Sequence, residues 1–313
     1  GSLFSIVQVT TEKILQSTGN MKIPMVCGIF GAVTNIIMDP MLIFGIGPFP
    51  EIGVTGAAVA TVLGQLVSMC LGQIFLFKKK HAVHVKLFGW KMQGRILKDI
   101  YAVGAPAILM QSIMSVMQFG MNIILSGLTE TAVAVMGVYG RLQSFIFMPV
   151  FGLNQGVLPI MGFNYGARNR KRLMETFKKG FMTAFVIMGL GLLLFQTLPY
   201  QLLTIFNSTG SQEMYDIGVP ALRTISLCFL PASFGIMSSS IFQAIGQGFM
   251  RLWGSLLRQR VGILPLAWIF AYIAGLKLVW YAFPIAELIG VVYFAIALKY
   301  VYKKDIRRLD IIK

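Results

Sequence analysis

Apolar residues in this chain gather into long unbroken runs instead of recurring at the three- and four-residue spacing of a surface helix. Eight such runs, at 23–45, 53–77, 99–127, 132–163, 177–200, 217–245, 254–275 and 278–302, are bounded by Gly, Pro and charged residues. A helix of about 20 apolar residues crosses a bilayer, so the pattern predicts eight complete membrane spans, with residues 1–18 reading as the end of another. Several runs exceed that length, which predicts tilt, extension or kinks, above all near Pro106, Pro149, Pro159, Pro231 and Pro265.

Composition narrows the class to a polytopic all-α membrane protein. Of 313 residues, 56% are hydrophobic and 12% charged, against about 25% charged in a soluble domain. The net charge of +16 would suggest nucleic acid in a soluble chain, but the basic residues do not line amphipathic or aromatic-interleaved faces. They alternate between loops instead. Basic residues are dense at 78–98, 168–179 and 299–313, and absent from 45–53, 127–131 and 199–218. Counting Lys13, Lys22, Arg251, Arg258 and Arg260 with the dense loops puts 24 of the 27 Lys and Arg on one side. By the positive-inside rule that side, with the C-terminal tail, is cytoplasmic. Cys27, Cys70 and Cys228 stand singly in apolar runs, so neither a disulfide framework nor a zinc site is indicated. His81 and His84 sit among lysines, which oppose a bound cation, and read as part of a solvated loop near headgroups. No nucleotide-binding, metalloprotease or nucleophile-elbow motif is present, so no cofactor and no enzyme activity are expected.

The segment 14–20 recurs as 241–247, each copy preceding a helix pair joined by a short turn that contains Gly. Six spans lie between the copies, so both enter the membrane in the same orientation, as in parallel repeats about an axis along the membrane normal. With a six-span repeat, about four spans are expected to precede residue 1.

Candidate chemistry is confined to a few polar residues at membrane depth. Asp39 and Glu287 are the acids placed well inside apolar runs, where a charge costs at least about 2.5 kcal/mol. Asn35 lies four residues before Asp39, on the same helix face, and Pro40 frees a backbone carbonyl nearby. Carboxylate and amide oxygens there suit a proton or small cation, with Thr61 as a third ligand; alternatively Asp39 caps the outer end of its helix. Gln118 and Asn122 share a face, and with Gln111 and abundant Met and Phe they suit a cavity for flat lipophilic cations. Glu287 reads as a cavity residue or as a buried partner of Arg223 or Lys277. Arg141 and Arg223 are expected to gate or to stabilise structure.

Three stretches resemble the multidrug and toxic compound extrusion (MATE) family. They are Gly19-Asn20 with Pro24-Met25, the run Asn35-Ile36-Ile37-Met38-Asp39-Pro40-Met41-Leu42-Ile43-Phe44-Gly45, and the Gly- and Ala-rich run 53–65. Further on, Ala132-Val133-Ala134, the run 149–156 and the run 159–167 are similar to that family's eighth helix and its cytoplasmic exit. The resemblance implies twelve helices in two six-helix lobes and plasma-membrane export of organic cations by antiport with H+ or Na+. It also implies no obligatory protein partner. On this reading residues 1–85 are the remainder of the N-terminal lobe, 86–98 the linker between lobes and 99–313 the C-terminal lobe. Asp39 becomes part of the coupling-ion site, while the family's first helix, which carries another part of it, has no counterpart here. A flippase for a lipid-linked oligosaccharide or another amphipathic lipid is the alternative; it would call for more basic residues within spans than Arg141 and Arg223 supply.

Overall fold

The computed structural model describes residues 2–78, 93–207 and 210–310, all helices and short connections. Residues 79–92, which hold His81, His84 and part of the expected linker, lie outside the described residues. The chain divides into two compact units, Gly1–Met92 and Gln93–Lys313.

The first unit consists of α1 (Ser2–Ser17), α2 (Lys22–Phe44) and α3 (Gly53–Lys78). Lipid cannot satisfy backbone polar groups, so each segment closes its hydrogen bonds internally as helix. What then joins the helices is close packing. Along α3, Gly56, Ala60, Gly64, Ser68 and Gly72 recur every four residues and are all buried. A Cβ on Gly64 would stand 2.7 Å from the Gly31 carbonyl oxygen of α2, and one on Gly31 would stand 2.9 Å from the Gly64 carbonyl oxygen. The two backbones therefore touch. At the turn, Gly45 takes φ +67°, and its N–H and that of Ile46 both bond the Met41 carbonyl, ending α2 in a left-handed cap.

The second unit runs through α4 (Gly94–Ser126), α5 (Glu130–Gly166), α6 (Arg170–Thr197), α7 (Pro199–Thr204), α8 (Gln212–Ser226) and α9 (Phe229–Ala244). It continues with α10 (Gly248–Leu256), a π-helical segment Leu257–Ile263, α11 (Leu264–Ala274), α12 (Leu276–Val279) and α13 (Ala282–Val301). Its core is an aromatic ladder across α5, α6, α9 and α13. Tyr139 meets Phe195 edge-on at 6.4 Å and Phe283 at 6.2 Å, and Phe195 meets Phe229 at 5.1 Å. The outer faces are apolar too, with Phe119, Phe145 and Phe163 about 70% exposed, a surface that suits lipid and not water.

Each expected apolar run falls on helix. Among the described residues, α2, α3, α5, α6 and the run Leu276–Ile306 are long and apolar enough to cross a membrane, and α8 with α9 makes a sixth span bent by 45°. The other two runs are helical but less uniform: α4 opens with Arg95, Lys98 and Asp99, and the α10–α11 run carries the π segment.

The prolines act in different ways. The helices pass through Pro40, Pro149 and Pro159, whereas Pro231, in the first turn of α9, follows the break at Leu227 and Cys228. Gln196 of α6 satisfies that break, donating to the Arg223 carbonyl at 2.7 Å and to the Ser226 hydroxyl at 3.0 Å. Beyond α13, Arg170 bonds the Tyr302 hydroxyl, and Gln247 donates to Asp305 at 3.5 Å.

Candidate ion and substrate sites

The helix spacing that put Asn35 and Asp39 on one face also turns that face toward α3. Asn35 Nδ2 donates to Asp39 Oδ1 at 3.4 Å and to Thr61 Oγ1 at 3.5 Å, while Thr61 donates to the Ala57 carbonyl at 2.9 Å. Asn35 sits beside the contact between backbones: a Cβ on Gly64 would be 3.2 Å from the Asn35 Cβ. The three residues thus meet because Gly64 lets α2 and α3 approach. Asn35 and Asp39 are half-buried and Thr61 is exposed. Hydrogen bonds this long hold the group loosely, so a proton on the carboxylate, or a cation among the oxygens of Asp39, Asn35 and Thr61, displaces little. Pro40 cannot donate to the Ile36 carbonyl, which adds an acceptor in the same turn.

One and two turns further along α3 lie polar atoms that do not stand out in the sequence. The Gln65 Oε1 and the Ser68 hydroxyl are buried without a hydrogen-bond partner. Gln65 follows Thr61 by four residues, a spacing that was legible in the sequence but outweighed by the apolar setting.

In the second unit, Met114, Ser115, Gln118, Phe119 and Asn122 line an open cleft of about 490 Å³ on α4. Gln118 Nε2 donates to Asn122 Oδ1 at 3.4 Å. Gln111, exposed one turn earlier, is not in the lining. Amide, thioether and phenyl groups together present a neutral, soft surface.

Glu287 lies elsewhere, in the interior of the same unit. Its side chain is 8% exposed and is paired with Arg258 of the π segment, which donates from Nη1 to Oε1 at 3.1 Å and to Oε2 at 3.4 Å. This corrects the expected pairing with Arg223 or Lys277. Arg223 is exposed at the C-terminal end of α8 and Lys277 precedes Glu287 by nearly three turns, whereas the π segment packs directly along α13. Arg258 was counted with the loop cations; it belongs instead to a continuous helical run, with its charge met inside the protein. Its position within the run 254–275 was the available signal. Arg141 is exposed on α5, and among the described residues neither it nor Arg223 makes an ion pair. No group of three or more His, Cys, Asp or Glu able to hold a metal occurs among the described residues.

Residues 106–269 match the MatE family model. The multidrug export protein MepA of Staphylococcus saprophyticus is 28% identical over 91% of this chain, and an FAD transporter of Shewanella oneidensis is 28% identical over 92%. The chain spans 62% and 64% of the lengths of those relatives. Among solved structures, a MOP superfamily transporter from Pyrococcus furiosus superposes with a TM-score of 0.87 at 28% identity, covering 97% of this chain and 66% of that one. A multidrug resistance MATE family transporter in an outward-facing conformation gives 0.83 at 27% identity, covering 95% and 67%.

Proposed function

The chain belongs to the MATE family of membrane transporters, and on that premise we propose that the intact protein is a secondary active exporter of organic cations, driven by inward movement of H+ or Na+. The observation that carries this reading is the Asn35, Asp39 and Thr61 constellation: an acid placed in an apolar helix, where a charge is expensive, held loosely by Asn35, whose amide also bonds Thr61.

In this mechanism Asp39 accepts the coupling ion. Protonation turns its carboxylate from an acceptor into a donor and weakens its hold on Asn35; Na+ would draw the three side-chain oxygens together. Either event changes how α2 lies on α3 at their closest approach, and coupling requires that ion and drug favour different states of the carrier. The neutral cleft of Gln118, Asn122, Met114 and Phe119 supports a lipophilic cation as cargo, with Gln111 as a flanking contact. Arg141 and Arg223, exposed and without an ion-pair partner among the described residues, serve as gating or structural charges. The expected topology places the protein in the plasma membrane with its C-terminal tail in the cytoplasm, in two lobes of which residues 1–85 complete the first and 99–313 form the second.

Efflux of ethidium from vesicles containing the intact protein tests this reading under separately imposed H+ and Na+ gradients. Efflux driven by one gradient and abolished when it is collapsed is expected. No efflux under either, with transport of a fluorescent lipid or of FAD in the same vesicles, would replace the cation reading. Arg258 does not strengthen a lipid-phosphate reading, because its charge is already met by Glu287.

A further inference from the structure

Coupling at Asp39 leaves unused the polar group inside the second unit, where two departures from regular α-helix meet one ion pair. Arg258 is the second residue of the π-helical segment Leu257–Ile263, and that segment leads straight into Pro265 in the first turn of α11. Its partner Glu287 stands against α9 at Gly235, where an added Cβ would be 3.4 Å from Glu287 Oε1. The same α8–α9 pair is broken at Leu227 and Cys228. Tyr139, 1% exposed, packs its ring on Phe283 one turn before Glu287, and its hydroxyl is buried beside the Cys228 thiol, a weak partner at best.

A π turn closes its hydrogen bonds over one residue more than an α turn; it occurs mostly as a single turn inside an α-helix, frequently at functional sites. Rewinding it to α rotates the flanking residues by about 100° about the axis, enough to carry Arg258 away from Glu287. In this structure the pair and the π turn occur together, and the pair spans from the π segment to α13.

Resting on the exporter reading above, we propose that Arg258 and Glu287 are positioning residues of the transport cycle, an ion pair that holds the π segment wound in one state and is broken when the segment rewinds in the other. Glu287 then takes the Tyr139 hydroxyl in place of the guanidinium. A buried pair kept only for stability is replaceable by apolar side chains of similar volume, often without loss. A pair that must break and reform is not.

That contrast supplies the test. In the intact protein, Arg258→Met combined with Glu287→Leu is compared with the unsubstituted protein for thermal unfolding and for ethidium efflux over a range of ethidium concentrations. We expect an unfolding midpoint unchanged or raised, an ethidium KM within about twofold, and a maximal rate at least tenfold lower. A folded double variant with a maximal rate within twofold would overturn the proposal. Amide hydrogen exchange across 257–263 in the unsubstituted protein, with and without ethidium and with and without sodium, decides the matter if the double variant does not fold. At least a tenfold change between conditions supports the switch, and identical exchange in all of them contradicts it. Efflux by the unsubstituted protein, measured first in the same vesicles, separates the two ideas: without it the exporter reading fails, while the exchange measurement still judges the ion pair.

Discussion

Gly31, Gly56 and Gly64 hold the first unit together through what they lack. At each, an added methyl group would meet backbone within 2.9 Å, and backbone cannot rotate aside as a side chain can. Gly64→Ala should therefore separate α2 from α3 and cost about 1–3 kcal/mol, read as a fall of several degrees in the unfolding midpoint in detergent. Gly152→Ala is the control: nothing lies within 4 Å of a Cβ there, and an unchanged midpoint is expected even though Gly152 and Gly156 form a GxxxG. The spacing of Gly56, Gly64 and Gly72 was as legible as that of Gly152 and Gly156, but sequence alone does not say which stripe meets a partner. Asp39 stood out because an acid in an apolar run has few cheap explanations. The partner of Glu287 was hidden for the opposite reason: a cation near the end of a run looks like the loop charge the positive-inside rule leads one to expect, and only the packing of α13 on the π segment shows that Arg258 points inward.

At the scale of elements, the apolar runs located the helices, since nothing else closes its own hydrogen bonds in lipid. The prolines announced irregularity without fixing its form. Pro149 and Pro159 left α5 continuous, Pro231 accompanied a break, and Pro265 followed a π segment. The outcome depends on who takes up the freed carbonyls, which is a property of the neighbouring helix. At the break that ends α8, Gln196 of α6 and the Ser226 hydroxyl both donate to the Arg223 carbonyl. Gln196→Ala should leave the Arg223 carbonyl without that donor, at about 1 kcal/mol. Amide exchange at Leu227 and Cys228 is expected to quicken about fivefold while that of α3 is unchanged; equal exchange in both proteins would show that the break is held by other means.

For the whole molecule, the alternation of basic loops pointed to a topology and the quoted motif runs to the MATE family, and the family match over 106–269 establishes the family. Composition could not have done so, because many polytopic membrane proteins are equally apolar and basic. Cargo and coupling ion were not legible, since carboxylate, amide and hydroxyl oxygens serve H+ and Na+ alike, and amide, Met and Phe surfaces accept many lipophilic cations. The account therefore stands on Asp39. The most direct measurement is the initial rate of ethidium efflux by the intact protein and by its Asp39→Asn variant, at equal membrane abundance and under the gradient that drives the native protein. Asn keeps the shape and removes the titratable charge, so the account predicts at least a tenfold loss of gradient-driven efflux with ethidium binding retained. Efflux by the variant at the native rate would contradict it.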